Sequence, residues 1–342
     1  MFLKNINLVN FRNFSKLNFD LSDVTLLIGN NAQGKSNLLE GIYFLSTTKS
    51  PRAEKDSQLI KEKETYTLVS GEVQNIEGIT NLEIGMQISD NLFSKKVVKV
   101  NGISRRVVDY IGHLIVISFG PEDINLVSGP PSLRRWHIDM SLAQVDRQYK
   151  ESLTIYHEVI LARNKILKRI KDGIGKLDEL DFWTKEALKS GKIVSEKRIQ
   201  FFNFLNTTEK KLGEFSFEYQ QSLISEDRLT EYRSREIAAA ASLIGPHRDN
   251  FIFKLNDQDL AIFGSRGEAR SAVLDLRLIE LEYFHKLAGS RPVLLLDDVF
   301  AELDDVHRHH VISTVGKQQT IISAVANETI PKQFLSSIKV IN

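Results

Sequence analysis

The chain has 342 residues and no cysteine, and its 45 basic and 44 acidic side chains leave a net charge of +1. The length is sufficient for two or three lobes. The lack of cysteine excludes disulfides, thiolate zinc sites and cysteine nucleophiles, and it fits a reducing cytosol. A near-neutral balance argues against a protein that coats DNA, although it is compatible with one basic face. The longest apolar runs, such as residues 293–296, are too short to cross a bilayer, so we expect a cytoplasmic protein with no membrane partner.

The first part of the chain has strand patterns followed by a helix pattern. Residues 2–9 and 17–28 are predicted strands, and the second of them ends in a run of apolar residues. A loop with glycines follows. The spacing of leucine and isoleucine then predicts a helix over 35–46, with one apolar face.

The middle of the chain changes from strand to helix. Over 65–117 the period falls to two, which predicts antiparallel sheet, and Asn101-Gly102 within it is typical of a type I′ hairpin turn. Over 132–212 glycine and proline nearly vanish and apolar residues recur at helical spacing. The pattern breaks at 172–175, so we predict two long helices that form a hairpin.

The last part returns to alternating strands and helices. The predicted elements are strand 250–255, helix 267–287, strand 292–297, a helix after Asp304 and strand 319–324. We therefore predict an ATPase lobe made of 1–125 and 245–342, with a helical lobe over 126–244.

A phosphate-binding loop lies between the second predicted strand and the first helix. It has the pattern G-x-x-x-x-G-K-[ST], in the strand–loop–helix context that this pattern requires. Its glycines let backbone N–H groups turn toward phosphates, and the helix N-terminus adds positive potential. Lys35 is expected to bind the phosphates of ATP, and Ser36 is expected to hold Mg²⁺. The loop residues are Gly29, Asn30, Asn31, Ala32, Gln33, Gly34, Lys35 and Ser36.

Two carboxylates end the apolar strand over 292–297. In a phosphate-loop protein, the first of them, Asp297, orders Mg²⁺ through water. The second, Asp298, is placed to polarise the attacking water, and it is our candidate catalytic residue.

Between the loop and these carboxylates, Ser265, Gly267 and Glu268 open an amphipathic helix. On its own this segment is an ordinary serine-capped helix start. Ahead of an Asp-Asp strand, it matches the Ser-x-Gly-Gln/Glu signature of ABC-type ATPases, in which one subunit completes the γ-phosphate site of the other.

This order of motifs resembles the RecF family, the SMC-like bacterial recombination mediators. Several further stretches carry the resemblance and have no general phosphate-loop explanation: 10–14, 37–43, 119–123, 129–135 and 245–249. The resemblance spans residues 2 to about 326. It adds Arg12 and Asn37 to the nucleotide-binding residues, and it assigns Asp304 to the D-loop. The chain departs from the family at Ala32, where glycine is usual, and over 322–326, which lacks the Thr-Thr or His expected near the γ-phosphate.

The resemblance implies an α/β fold: an ABC-type ATPase head, with a mixed sheet around the phosphate-loop helix and an antiparallel β subdomain, and a helical second lobe. It implies a weak ATPase that uses ATP and Mg²⁺ and forms a homodimer on ATP. It also implies binding to DNA at gaps and single-strand/double-strand junctions, and loading of RecA with RecR and RecO.

Some features have two interpretations. A P-loop kinase or transferase acting on a small molecule is the alternative function, and dimer formation on ATP would separate the two.

Basic clusters at 95–96, 105–106, 134–135 and 165–171 are each expected to be solvated surface. His247 is either catalytic or hydrogen-bonded in a turn, and His307 and His310 are expected on a solvated helix rather than in a metal site.

Overall fold

The computed structural model describes residues 1–30, 33–88, 94–301, 303, 305–324 and 338–340. Its chain groups into two compact units, Met1–Asp123 with Leu274–Asn342, and Ile124–Val273. Residues 245–273, which we placed in the ATPase lobe, group with the second unit. The assignment of functions to lobes stays a prediction.

The secondary structure follows in chain order. The strands are β1 (Phe2–Phe11), β2 (Phe14–Asp20), β3 (Val24–Ile28), β4 (Tyr66–Asn75), β5 (Gly78–Ile88), β6 (Ser94–Val100), β7 (Ile103–Arg105), β8 (Val116–Phe119), β9 (Phe215–Gln220), β10 (Asn250–Leu255), β11 (Gln258–Asp259), β12 (Val293–Asp297), β13 (Thr320–Ala324) and β14 (Ile338–Val340). The helices are α1 (Lys35–Thr47), α2 (Val107–Tyr110), α3 (Asn125–Ser128), α4 (Pro131–Val145), α5 (Arg147–Lys171), α6 (Glu179–Thr207), α7 (Glu226–Ala239), α8 (Leu260–Phe263), α9 (Arg266–Ala288) and α10 (Asp305–Thr314).

A parallel sheet forms one part of the first unit. Its order is β14-β3-β13-β12-β8, and every neighbouring pair is parallel. Such sheets are covered on both faces, which explains why β3 and β12 are nearly continuous apolar runs with buried centres. Because parallel strands end at the same edge, the ends of β3, β12 and β13 lie together.

An antiparallel sheet with the order β2-β1-β4-β5-β6-β7 forms the other part of this unit. The predicted Asn101-Gly102 turn is confirmed: both residues have positive φ, 51° and 77°, and Val100 pairs with Ile103 across it. The predicted antiparallel region ends at Arg105, since α2 and β8 follow. The predicted strand 17–28 is also two strands, β2 and β3, which belong to different sheets.

Helix α1 is central to the core of the first unit. Its Leu38, Leu39, Ile42 and Leu45 belong to one buried cluster with residues of both sheets, such as Ile6 of β1 and Leu295 of β12. This packing stabilises α1 far more than its helix propensity would, and it fixes the helix start against the end of β3.

The second unit contains the predicted helical hairpin. Asp146 caps α5 by accepting a hydrogen bond from the Tyr149 N–H at 2.9 Å, and α5 ends before Gly173, whose φ is 76°. Helix α6 then packs against α5. A small antiparallel sheet, β11-β10-β9, belongs to the same unit. In the described part of the chain, no helix is both long enough and apolar enough to cross a bilayer.

Candidate nucleotide-binding site

The phosphate loop connects β3 to α1 in the first unit. Gly34 is the N-cap of α1 with φ 100°, a conformation that side chains rarely adopt, and a Cβ there would lie 2.6 Å from Cζ of Phe14. Glycine is therefore required at this position. Because Gly34 has no side chain to accept hydrogen bonds, the first N–H groups of α1 remain suited to an anion. Asn31 and Ala32 of the loop lie outside the described residues.

Lys35 folds back over the loop. Its Nζ donates to the carbonyl oxygen of Gly29 at 2.6 Å and to that of Asn30 at 3.0 Å, and the residue is buried. A charged amine held by backbone carbonyls can exchange them for phosphate oxygens, which carry more negative charge. The ammonium group therefore lies against the backbone that begins the loop.

Ser36 brings the loop to the carboxylate strand. Its Oγ donates to Oδ1 of Asp297 at 2.9 Å, where β12 ends. A hydroxyl and a carboxylate are the hard oxygen ligands that Mg²⁺ prefers beside phosphates. The residues present therefore fit an Mg²⁺ that is shared with a nucleotide.

Ser323 of β13 is the residue that sequence reasoning missed. Its Oγ donates to the same Oδ1 of Asp297 at 2.6 Å and accepts a hydrogen bond from the Asp298 N–H at 3.0 Å. Asp298 follows β12 with φ 51°, in the left-handed region. A serine that pairs with Asp297 across parallel strands could have been found only from the strand register.

Arg12 and Asn37 both lie beside the start of α1. Arg12 makes a bidentate ion pair with Glu40: its Nε donates to the carboxylate at 2.9 Å and its Nη2 donates at 2.6 Å. Glu40 is buried. Asn37 donates to Oδ1 of Asn13 at 2.8 Å. These contacts dock the turn between β1 and β2 against the loop helix, whereas a role of either residue in nucleotide binding stays a prediction.

The signature segment is an exposed helix start in the second unit. Ser265 Oγ accepts from the Glu268 N–H at 3.2 Å, and Glu268 in turn accepts from the Ser265 N–H at 2.8 Å. This is a capping box, and the hydrogen bond from the Ser265 N–H lowers the pKa of Glu268. Gly267 lies in the first turn of α9 and is also exposed. The role of this segment in trans stays a prediction, and Asp304 of the D-loop lies outside the described residues.

The whole chain is similar in sequence to known proteins. The family described as RecF/RecN/SMC N terminal domain matches residues 2–341. A "DNA replication and repair protein RecF" of Bacillus cytotoxicus is 35% identical over 369 aligned positions, covering 100% of this chain and 96% of that protein. The chain belongs to the RecF family.

Solved structures agree with the family assignment. A structure described as the recombination mediator protein RecF-ATP in the RecFOR pathway matches with a TM-score of 0.89 at 32% identity, over 96% of this chain and 93% of that one. An Smc head domain with an extended coiled coil from Pyrococcus furiosus matches with a TM-score of 0.50 at 14% identity, over 96% and 90%, and supports the fold alone. The predicted α/β fold class, an ABC-type ATPase head with an antiparallel β subdomain and a helical second lobe, is confirmed.

The stretch 245–249, which resembles the RecF family, makes hydrogen bonds and an ion pair with other residues of the second unit. Tyr156 donates to Nδ1 of His247 at 2.7 Å, and the Nε2–H of His247 donates to the Ser242 carbonyl at 3.0 Å. Burial lowers the pKa of His247 to about 4, so the ring is neutral at pH 7. Asp249 is buried and pairs with Arg198 at 2.7 Å. His247 is therefore hydrogen-bonded on both ring nitrogens, as one of its two interpretations predicts.

One residue in each of two basic clusters is not solvated surface. Arg134 is buried, with its guanidinium donating to the carbonyls of Leu126 and Gly129 at 3.1 and 2.8 Å. Lys96 pairs with Asp56 at 2.9 Å, and its side chain is 13% exposed. The expectation for these two residues was wrong, because Arg134 donates to carbonyl oxygens in the protein and Lys96 pairs with Asp56. In the region that the structure describes, no group of three or more histidine, aspartate or glutamate residues is arranged to hold a metal ion.

Proposed function

We propose that this chain is an ATP-dependent DNA-binding protein of recombinational repair and replication-fork maintenance, a weak ATPase that acts in the cytoplasm. The observation that supports this proposal is the hydrogen bond between Ser36 of the phosphate loop and Asp297 at the end of β12, 2.9 Å long. It joins the phosphate loop to the carboxylate that we propose to bind Mg²⁺. The solved relative is described as a complex with ATP.

The loop residues bind ATP and the two aspartates support its hydrolysis. Lys35 exchanges the carbonyls of Gly29 and Asn30 for phosphate oxygens, while the loop N–H groups and the start of α1 hold the remaining charge. Ser36 and Asp297 would hold Mg²⁺, which would neutralise phosphate charge. Asp298 accepts the proton of the attacking water. Arg12 and Asn37 contribute to the nucleotide site from the side of α1.

ATP joins two copies of the chain. Ser265, Gly267 and Glu268 of one copy meet the γ-phosphate held by Lys35 of the other, and Asp304 lies in the D-loop between them. The signature segment is exposed, as this role requires. The N–H groups that begin α9 add positive potential toward the phosphate.

DNA binding depends on contacts with phosphates. Lys165, Lys168 and Lys171 are exposed on α5, in contrast to the buried Arg134. We propose that such exposed lysines bind gapped duplex and single-strand/double-strand junctions, where the protein helps RecO and RecR to load RecA. Binding through phosphates carries little base preference.

The experiment that tests this function is size-exclusion chromatography with light scattering, with and without ATP, Mg²⁺ and a gapped duplex. We expect a monomer alone, a dimer with ATP and a dimer–DNA complex with both ligands. DNA affinity should fall steeply as salt rises, because bound phosphates release counterions. A chain that stays monomeric with ATP and does not bind DNA would refute the proposal and support a P-loop kinase or transferase.

Matched variants test whether the exposed lysines of α5 contact DNA. Lys165→Gln combined with Lys168→Gln should reduce the salt slope by roughly one to two, because each lost phosphate contact removes about one unit. The control is Lys16→Gln on β2, an exposed lysine of the first unit. It should leave the slope unchanged.

A further inference from the structure

The hydroxyl of Ser323 contacts both carboxylate residues at the end of β12. Ser323 is fully buried on β13 and lies directly opposite Asp297 in the parallel register. Its proton goes to Oδ1 of Asp297 at 2.6 Å, and its oxygen accepts the N–H of Asp298 at 3.0 Å. One small side chain therefore hydrogen-bonds both to the carboxylate of Asp297 and to the backbone N–H of Asp298.

The two hydrogen bonds of Ser323 restrain different groups. One restrains the carboxylate of Asp297, and the other restrains the backbone of Asp298. Oδ1 of Asp297 accepts from both Ser36 and Ser323, at 2.9 and 2.6 Å, so the carboxylate can rotate only by breaking both bonds. Asp298 has φ 51°, a sparsely populated conformation for a residue other than glycine. The bond from its N–H to Ser323 helps to hold that conformation. The position and direction of the Asp298 side chain follow from it.

We propose that Ser323 is a positioning residue for nucleotide turnover: it orients Asp297 toward Mg²⁺ and holds Asp298 in its left-handed conformation. The proposal rests on the function proposed above. Ser323 acts through the two aspartates. Partners of this kind orient metal ligands, and their loss typically costs 10- to 100-fold in metal affinity or activity. Ser323 lies in the stretch 322–326, which departs from the family pattern.

The same strand supplies a control for lost buried hydroxyls. Thr320 is also fully buried on β13, and its Oγ1 donates to the Gln318 carbonyl at 3.1 Å, at the other end of the strand from Asp297. Thr320→Val removes a hydroxyl and keeps the shape. A purely structural role of Ser323 predicts that both variants behave alike at the nucleotide site.

The test measures metal binding as well as turnover. Mn²⁺ is titrated into the full chain with a non-hydrolysable ATP analogue, and bound Mn²⁺ is followed by electron paramagnetic resonance. We expect Ser323→Ala to weaken Mn²⁺ binding about tenfold and to leave the affinity for the analogue without metal unchanged. Ser323→Thr should restore Mn²⁺ binding, and Thr320→Val should match the parent. In steady-state assays, Ser323→Ala should raise the Mg²⁺ concentration needed for half-maximal hydrolysis and lower kcat.

The outcomes separate this inference from the proposed function. A parent chain that does not bind the ATP analogue would refute the function itself. A parent that binds analogue and Mn²⁺, with Ser323→Ala binding Mn²⁺ equally well, would overturn the positioning role and leave the function intact. If Ser323→Ala does not fold, Ser323→Cys keeps the shape with a weaker donor and should still weaken Mn²⁺ binding. Parental Mn²⁺ affinity in a folded Ser323→Cys variant would also overturn the inference.

Discussion

Ser36 and Asp297 are separated by 261 positions in the chain, and the hydroxyl of the first donates to the carboxylate of the second at 2.9 Å. Ser36 lies in the first turn of α1, and Asp297 is the last residue of β12. The contact exists because β3 and β12 end at the same edge of the parallel sheet, with β13 between them. Changes on either side of this contact should therefore act on nucleotide turnover without unfolding the core.

Lys35→Ala should weaken ATP binding while the fold is retained. The ammonium group supplies charge-assisted hydrogen bonds to phosphate, each of which contributes about 1.5–3 kcal/mol, so the affinity should fall roughly 10- to 100-fold. Isothermal titration calorimetry measures the loss, and circular dichroism checks the fold. Lys16→Ala, at an exposed lysine on β2, is the control and should bind as the parent does. Parental affinity in a folded Lys35→Ala variant would contradict the site assignment.

Asp298→Asn should bind ATP normally and hydrolyse it about 10²- to 10⁴-fold more slowly, because an amide cannot take the proton of water. The ATP-bound dimer should accumulate. Asparagine tolerates the φ of 51° at this position, so the backbone should not change. Phosphate release assays measure the rate.

Asp257→Asn is the matched control for this variant. Asp257 also has a positive φ, 62°, in the turn between β10 and β11 of the second unit. Its variant should keep the parental rate. Hydrolysis by Asp298→Asn at the rate of Asp257→Asn would assign the catalytic role to another residue, with Asp297 or Glu302 next.

Ser265→Arg should abolish ATP-dependent dimerisation and hydrolysis while ATP still binds each monomer. The guanidinium would enter the composite site and prevent its closure, whereas the phosphate loop of the same copy stays whole. The change also removes the cap of α9, which costs about 1 kcal/mol of stability. Light scattering with ATP measures dimer formation.

Ser225→Arg separates the loss of a cap from the loss of a signature. Ser225 caps α7 through the Arg228 N–H at 3.3 Å, so this variant loses a comparable hydrogen bond elsewhere in the second unit. It should dimerise and hydrolyse ATP as the parent does. Mixing Ser265→Arg with Lys35→Ala should restore one competent site per heterodimer. Parental dimerisation by Ser265→Arg alone would refute the role in trans.

Stability should fall on mild acidification because of His247. Its folded pKa is about 4, below its ordinary value of 6.5, since burial disfavours the charged ring. Between these values the unfolded chain binds a proton that the folded chain does not. The contribution is therefore fully present above pH 6.5 and is lost as the pH falls toward 4, with about 2 kcal/mol lost by pH 5.

Urea unfolding at pH 7.5 and pH 5 measures this loss for the parent and two variants. His247→Gln should reduce the difference between the two pH values. His309→Gln, at an exposed histidine of α10, should keep it. An unchanged difference in His247→Gln would show that other groups cause the loss.

Elements with local sequence signals could be predicted from the sequence. The apolar run before Gly29, the loop pattern and the spacing of leucines predicted β3, the phosphate loop and α1, because each depends on residues that are close in the chain. The same holds for the Asn101-Gly102 turn. The resemblance to the RecF family, confirmed by the comparisons, also came from short motifs that each occupy one segment.

Which distant residues meet depends on the tertiary structure. The strand order β3-β13-β12 brings Ser36, Ser323 and Asp297 together, and no local pattern encodes a register between strands so far apart in the chain. The contacts of Arg134 with Asn250 and of Lys96 with Thr48 are likewise invisible in a list of charges, because other segments of the chain supply the acceptors. Nothing in the spacing of 213–243 predicted β9 or α7 either, since packing in the second unit stabilises them more than their own propensity does.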